Sequence, residues 1–266
     1  LARHSELPDP HRLIGARLHL HPGVAIAGVF DEPILGWSGI PQSVECTEHI
    51  DWLPGSEKRI WIVPAFVHPI GFAASLPGFG AAHMRLMRRY PQVAILVAML
   101  HDESSGRIDV ASSGRPKIRY ALDDGDTRAL RRGIVACAQL LRAAGAREIL
   151  APFADPIVLR DDEDTFRRDV MARPIRPLDP QLTAVHPMSS LPMARDPARG
   201  VTDGDGRFHT VPGLYVADGS LFPTSIGGPP QISIYTAGRR VARTVLADLG
   251  RSPTGSTPAA SPDAGR

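Results

Sequence analysis

The sequence predicts an α/β fold in which an antiparallel sheet packs against helices. Two apolar runs, 60–64 and 93–99, have the composition of buried strands. Apolar residues recur at helical spacing over 127–144, which indicates an amphipathic helix. A second helical pattern follows Pro230, directly after a short apolar run at 214–217. We therefore expect a sheet with helices, followed by a last strand and a last helix.

The remaining elements follow from local patterns. The run 93–99 precedes a turn-like stretch and then 107–110, which predicts a hairpin with a longer loop. Residues 118–122 alternate in polarity, as a half-buried strand does. Short helices are expected over 84–90 and, in a charged and solvated stretch, over 158–168.

The central helix carries signals at both ends. The acidic stretch 123–126 predicts an N-terminal cap, and Gly145 predicts the stop. The tail 251–266 is rich in Ser, Thr, Pro, Ala and Gly and is expected to be disordered.

Composition excludes several classes of protein. Hydrophobic residues make up 43% and charged residues 22% of 266 positions, as in ordinary globular proteins. A net charge of +2 gives no reason to expect nucleic acid as a partner. No run approaches the roughly 20 apolar residues of a membrane span, and no signal peptide is apparent, so a cytoplasmic location is our expectation. Two cysteines argue against a disulfide framework, and Cys137 is expected to be a buried free thiol.

The most informative stretch is 186–249. It contains His-Pro-Met at 186–188, Asp-Gly-Asp-Gly-Arg-Phe-His at 203–209, Leu-Tyr-Val-Ala-Asp-Gly-Ser at 214–220 and Gly-Gly-Pro-Pro-Gln at 227–231. These four elements, in this order, resemble the C-terminal end of the glucose-methanol-choline (GMC) family of FAD-dependent oxidoreductases. A weaker likeness covers 11–23, where the family's chain leaves the FAD domain.

The resemblance implies a domain organisation. Residues 1–23 would be the exit segment of the FAD domain, 24–185 a substrate domain of the α+β type, and 186–250 a segment completing the FAD domain. The last strand and helix would then belong to a Rossmann-like fold. The family binds the ADP part of FAD through a Gly-x-Gly-x-x-Gly unit near its N-terminus. We find no such unit, and the sequence begins with Leu1, so we expect a C-terminal half that acts with a missing nucleotide-binding half.

The resemblance also implies site residues. His186 corresponds to the family's catalytic histidine, and a neutral imidazole suits removal of a hydroxyl proton. Asp218 and Gly219 follow the apolar run, where the family holds the middle of FAD, although a plain strand-ending turn has the same composition. Pro229, Pro230 and Gln231 open the last helix, whose positive N-terminal end would face the flavin.

The chain departs from the family at Pro229. The family has asparagine or histidine there, paired with the catalytic histidine, and proline offers neither donor nor acceptor. Either His186 works alone, or Gln231, His209 or a residue of the missing half substitutes. Alcohol oxidation could also have been replaced by isomerase or lyase chemistry, or lost in a non-catalytic partner protein.

Two further expectations concern ligands. Apolar segments such as 66–79 suggest a hydrophobic small-molecule alcohol as the substrate. His19 and His21 could share a strand face, but two histidines without a third ligand are a weak zinc signal, so we assign no metal.

Overall fold

The computed structural model describes residues 6–40, 42–76 and 78–250. The expected disorder of 251–266 therefore lies outside the described residues. The elements, in chain order, are β1 (Gly23–Val29), β2 (Ile60–Pro64), α1 (Pro69–Ser75), α2 (Gly80–Arg88), β3 (Val93–Leu100), β4 (Arg107–Val110), β5 (Pro116–Arg119), α3 (Asp124–Ala143), β6 (Glu148–Ala151), β7 (Ile157–Leu159), α4 (Glu163–Ala172) and α5 (Gln231–Asp248).

A five-stranded antiparallel sheet is the centre of the fold, and it confirms the predicted class. Its strand order is β2-β3-β1-β6-β7. Strand β1 lies in the middle, where Gly28 is paired with Ala94 of β3 and with Ile149 of β6. Since successive side chains of a strand point to opposite faces, Val24 and Ile26 lie on one face and Ala25 and Ala27 on the other.

Helix α3 covers the first of these faces. Its N-cap is Asp123, whose carboxylate accepts a hydrogen bond from the Asp126 N–H at 2.7 Å, as the acidic stretch predicted. The helix buries Leu130 and Ile134 completely against the sheet. Cys137 is buried in the same layer as a free thiol, and burial raises its pKa.

Gly133 sets the distance between α3 and the sheet. A β-carbon there would lie 2.9 Å from the β-carbon of Ala98 and 3.1 Å from Ile60. We expect Gly133→Val to lower the free energy of unfolding by about 2 kcal/mol, because overpacking forces the helix from the sheet. Urea denaturation measures this. Gly204→Val, at a glycine with open space around it, is the matched control and should change stability by less than about 0.5 kcal/mol. Equal effects at both glycines would contradict the close packing.

The expected hairpin between 93–99 and 107–110 is wrong. Strand β4 pairs with β5, in a separate two-stranded ribbon, and not with β3. The intervening loop is instead bound elsewhere: the carboxylate of Asp126 accepts hydrogen bonds from the N–H groups of Glu103 and Ser104. The expected half-buried strand at 118–122 is also corrected. The strand is Pro116–Arg119, with all four residues exposed, and the half-buried Tyr120 and Leu122 lie beyond its end.

Other boundaries differ in detail. The helix expected over 84–90 is α2, which begins four residues earlier. The stretch 158–168 is divided between β7 and α4, since Val158 pairs with Leu150 at the edge of the sheet. The run 214–217 makes a single bridge, between Tyr215 and Arg207, because no described strand lies beside it.

A second apolar cluster lies apart from the sheet. It brings α5 together with the N-terminal stretch 7–14 and with 191–221. Its buried members are Val201, Phe208, Val216, Leu221 and Val241. Residues 7–14 are therefore packed against α5 and 191–221. Among the described residues, no helix has the length and apolar character needed to span a membrane.

Candidate functional site

Two chain segments meet at the N-terminal end of the central strand β1 and form the site. Residues 19–23 lead into β1, and 183–188 run antiparallel to them. Gly23 bridges to Thr183, and His19 bridges to Met188. Three residues lie between the bridges on the first segment and four on the second, so the pairing contains a bulge. A bulge redirects the side chains around it, and this bulge lies beside two histidines.

The bulge places His21 against His186. Their Nδ1 atoms are 3.0 Å apart, and their rings are tilted by 32°. His21 is almost fully buried, at 1% exposure, and has a left-handed φ of 52°. Burial, with a further contribution from His186, lowers the pKa of His21 to about 4. His186 is half-buried, and burial lowers its pKa as well. Both rings are therefore neutral near pH 7.

Asp102 fixes the backbone at His21. Its fully buried carboxylate accepts hydrogen bonds from the N–H of Leu20 at 2.9 Å, the N–H of His21 at 3.1 Å and the hydroxyl of Tyr120 at 2.8 Å. Burial raises the pKa of Asp102, but the neighbouring His19 ring, 3.6 Å away, and hydrogen bonds from Leu20 and Tyr120 outweigh it and hold the pKa at about 2. A charged carboxylate thus anchors the bulge.

The loop before α5 lies beside the pair formed by His21 and His186. The ring of His101 contacts the Ser225 carbonyl at 3.1 Å through Nε2. Gly227 has a φ of 73°, and a β-carbon there would lie 2.7 Å from the His101 ring. Only glycine allows this approach, so the loop leading to Pro229 and Pro230 is held against the end of β3.

Asp218 and Gly219 lie beside the segment that follows His186. The carbonyl of Gly219 accepts a hydrogen bond from the N–H of Ser189 at 3.3 Å. A β-carbon on Gly219 would lie 3.3 Å from the Pro187 carbonyl and 3.4 Å from Ile234 of α5. Asp218 is exposed, and its carboxylate accepts a hydrogen bond from the Ser220 N–H at 2.8 Å. The structure therefore brings His186, this corner and the first turns of α5 together.

The N-terminus of α5 is free of side-chain caps. Pro230, which is buried, is the N-cap residue and makes no side-chain hydrogen bond, and the first turn has no acidic residue. The N–H groups of that turn can therefore bind an acceptor outside the chain. Pro229 and Gln231 are exposed, and the Gln231 amide donates to the Tyr235 hydroxyl at 2.9 Å.

The structure shows which residue contacts His186 in place of the side chain that the family has at the position of Pro229. Gln231 is engaged within its own helix, and His209 contacts the Ala194 carbonyl at 2.9 Å through Nε2. Neither contacts His186, whereas His21 does. Sequence reasoning had considered His21 only as a metal ligand. No group of three or more His, Cys, Asp or Glu side chains suited to a metal is found in the described part of the chain.

An apolar cavity lies on the sheet face opposite α3. Its volume is about 110 Å³. Ala25, Ala27 and Ile95 line its floor, and Phe72 and Leu76 come from the segment around α1. Thr183 also lines it, three residues before His186. Segment 66–79 thus contributes Phe72, Ser75 and Leu76 to the cavity.

Comparisons with known proteins agree with the motif resemblance. Residues 102–238 match the family described as GMC oxidoreductase. A GMC-type oxidoreductase of Mycobacterium tuberculosis is 32% identical over 90% of this chain and 37% of its own length. A long-chain-alcohol oxidase of Arabidopsis thaliana is 27% identical over 84% and 32%.

The fold agrees with solved structures. A formate oxidase from Aspergillus oryzae, studied for modification of its FAD, superposes with a TM-score of 0.60 at 17% identity, over 90% of this chain and 48% of that one. The chain thus spans roughly a third to a half of the proteins it matches. The match over 102–238 nevertheless covers more than half of this chain. The chain belongs to the GMC oxidoreductase family, whose cofactor is FAD, as the motifs led us to expect.

Proposed function

We propose that this chain is the substrate-binding part of an FAD-dependent oxidoreductase that oxidises the CH–OH group of an alcohol. The observation that carries the proposal is the position of His186: a neutral, half-buried imidazole, held by a buried histidine, beside the uncapped N-terminus of α5. An imidazole that acts as a general base must be neutral at the working pH and fixed in orientation, and His186 meets both conditions.

FAD would lie against the corner of Asp218 and Gly219 and the start of α5. Gly219 lets the segment after His186 pack closely against this corner and α5, and the N–H groups of the first turn of α5 favour negative charge. Pro229, Pro230 and Gln231 would border the isoalloxazine ring. When bound, FAD supplies the acceptor for the electron pair that leaves the alcohol carbon with its hydrogen.

His186 takes up the proton of the hydroxyl group. As the carbonyl product forms, the hydroxyl O–H bond breaks and its proton moves to Nε2 of His186. The imidazolium that results keeps an Nδ1–H directed at His21.

The cavity supports an apolar substrate. Its floor of alanine side chains leaves room, and its walls are aliphatic and aromatic. An alkyl chain extending from the histidine pair over Thr183 would fill it. The relative from Arabidopsis thaliana bears the name long-chain-alcohol oxidase, which agrees with this chemistry.

We also propose the division expected from the sequence, with 24–185 as the substrate domain and 1–23 together with 186–250 completing the FAD domain. The separate apolar cluster between 7–14 and 191–245 supports it. The nucleotide-binding half would be supplied by chain beyond this sequence, in agreement with the partial coverage of the relatives.

Anaerobic bleaching of the bound flavin tests the function. In the complete protein, with the nucleotide-binding half present and FAD bound, we expect 1-dodecanol to reduce the flavin. Across primary alcohols from butanol upwards, the apparent second-order rate constant should rise about three- to fourfold per methylene until the cavity is filled. Glucose is the control and should bleach the flavin far more slowly. A complete protein that contains the nucleotide-binding half but binds no FAD, or flavin that no alcohol reduces, would contradict the function. Preference for glucose would contradict the substrate class alone.

A further inference from the structure

His21 and His186 must divide one hydrogen between their facing Nδ1 atoms. At 3.0 Å, two lone pairs or two N–H groups would repel, so one Nδ1 donates and the other accepts. If His186 donates, its Nε2 keeps a lone pair and can take a proton. If His21 donates, the hydrogen of His186 is on Nε2, and that atom cannot act as a base.

The surroundings favour donation by His186. Burial and the neighbouring His186 keep His21 neutral, so His21 Nδ1 can serve as an acceptor. His21 then carries its hydrogen on Nε2, a buried atom that makes no hydrogen bond of normal geometry with the described residues. The backbone of Gly227 lies beside His21 and raises its pKa, as an acceptor near a ring N–H does.

The hydrogen bond from His186 Nδ1 to His21 Nδ1 also persists when His186 is protonated. A protonated His186 must donate from Nδ1 as well as from Nε2, and His21 already offers the acceptor. No ring has to rotate during proton uptake. The charged and titratable groups around His21 are Asp102, His101 and His186, and Asp102 is the one that favours the nearby positive charge.

The position of His21 is fixed independently of the pair. Two backbone hydrogen bonds to Asp102 hold residues 20 and 21, and the left-handed φ of His21 directs its ring at the second segment. We propose that His21 is a positioning residue that keeps His186 in the Nδ1–H form and so leaves Nε2 free as the base. This inference rests on the proposed function.

Two substitutions at position 21 distinguish a positioning role of His21 from a purely structural one. His21→Ala removes the acceptor. His21→Asn keeps a polar atom near the place of Nδ1, and asparagine tolerates a left-handed φ. In FAD-loaded protein we expect His21→Ala to slow flavin reduction by 1-dodecanol roughly 10²-fold, with KM changed less than about threefold. His21→Asn should restore the rate to within about threefold of the original protein.

A tautomer measurement gives a readout besides activity. Long-range ¹H–¹⁵N spectra of the FAD-loaded protein, labelled at histidine, should show His186 in the Nδ1–H form, and in His21→Ala the Nε2–H form should dominate. The inference is overturned if His186 carries its hydrogen on Nε2 in the unaltered protein. It is also overturned if folded, FAD-loaded His21→Ala reduces its flavin at the original rate, or if His21→Asn is as slow as His21→Ala. Normal reduction in His186→Ala would instead overturn the role of His186 as the base, and flavin that no alcohol reduces in the unaltered protein would overturn the proposed function.

Discussion

His186→Ala is expected to retain FAD and to slow flavin reduction by alcohols about 10²- to 10⁴-fold, the usual contribution of a general base. FAD should stay bound because the proposed contacts to the cofactor come from Asp218, Gly219 and α5. Stopped-flow measurement of flavin bleaching gives the rate, and the absorbance of the purified protein gives the FAD content. A rate within about threefold of the original would mean that another group removes the proton.

The pH dependence adds a second criterion for His186. Burial lowers its pKa below the ordinary value of 6.5, so the base form is already dominant at neutral pH. The reduction rate should therefore rise as pH increases through that lowered pKa and stay level above it, and the rise should vanish in His186→Ala. His11→Ala, at an exposed loop histidine, is the matched control and should preserve both rate and profile.

The parts of the fold that the sequence predicted have local causes. Helix α3 is defined by its own cap at Asp123 and by apolar residues at helical spacing, and both are visible within some twenty positions of sequence. Strand β3 is likewise a continuous apolar run. Strand β1 is not predicted from the sequence because its small residues, Gly23, Ala25 and Ala27, weaken the apolar pattern. Ala25 and Ala27 also line the cavity, where their small side chains leave space.

The wrong hairpin has a non-local cause. Turn composition after β3 suggested a tight return, but Asp102 and Ser104 are bound by groups far along the chain. Asp102 holds the bulge at His21, and Asp126 of α3 accepts hydrogen bonds from the N–H groups of Glu103 and Ser104. The loop therefore leaves the sheet, and its contacts hold the residues of the site in place.

The site was predicted in part for the same reason. His186 was identified from its motif, and it remains a prediction as the base. Its contact with His21 depends on an antiparallel pairing across 165 positions, with one extra residue on one side. No spacing within either segment encodes that contact. The only hint was that His21 belongs to the stretch at 11–23 that shared the family resemblance.

Asp102→Ala is expected to lower the free energy of unfolding by about 4 kcal/mol, the largest stability effect that we predict. The substitution leaves two backbone N–H groups and the Tyr120 hydroxyl without their buried acceptor, and each such loss costs about 1–3 kcal/mol. Asp102→Asn keeps one acceptor oxygen and should cost less, and Tyr120→Phe should cost about 1 kcal/mol. Urea denaturation at pH 7 gives this order; equal losses in all three variants would contradict it.

The same carboxylate makes stability depend on pH in a defined direction. Since the pKa of Asp102 is about 2 in the folded protein and 3.8 ordinarily, its charge stabilises the fold fully above pH 3.8. That contribution, about 2 kcal/mol, is lost as pH falls from 3.8 towards 2, because the unfolded chain takes up the proton first. Asp102→Asn should lack this part of the acid dependence. Because Asp102 also holds His21, the variant should slow flavin reduction even where it is fully folded, which links the stability of the bulge to the direction of the base.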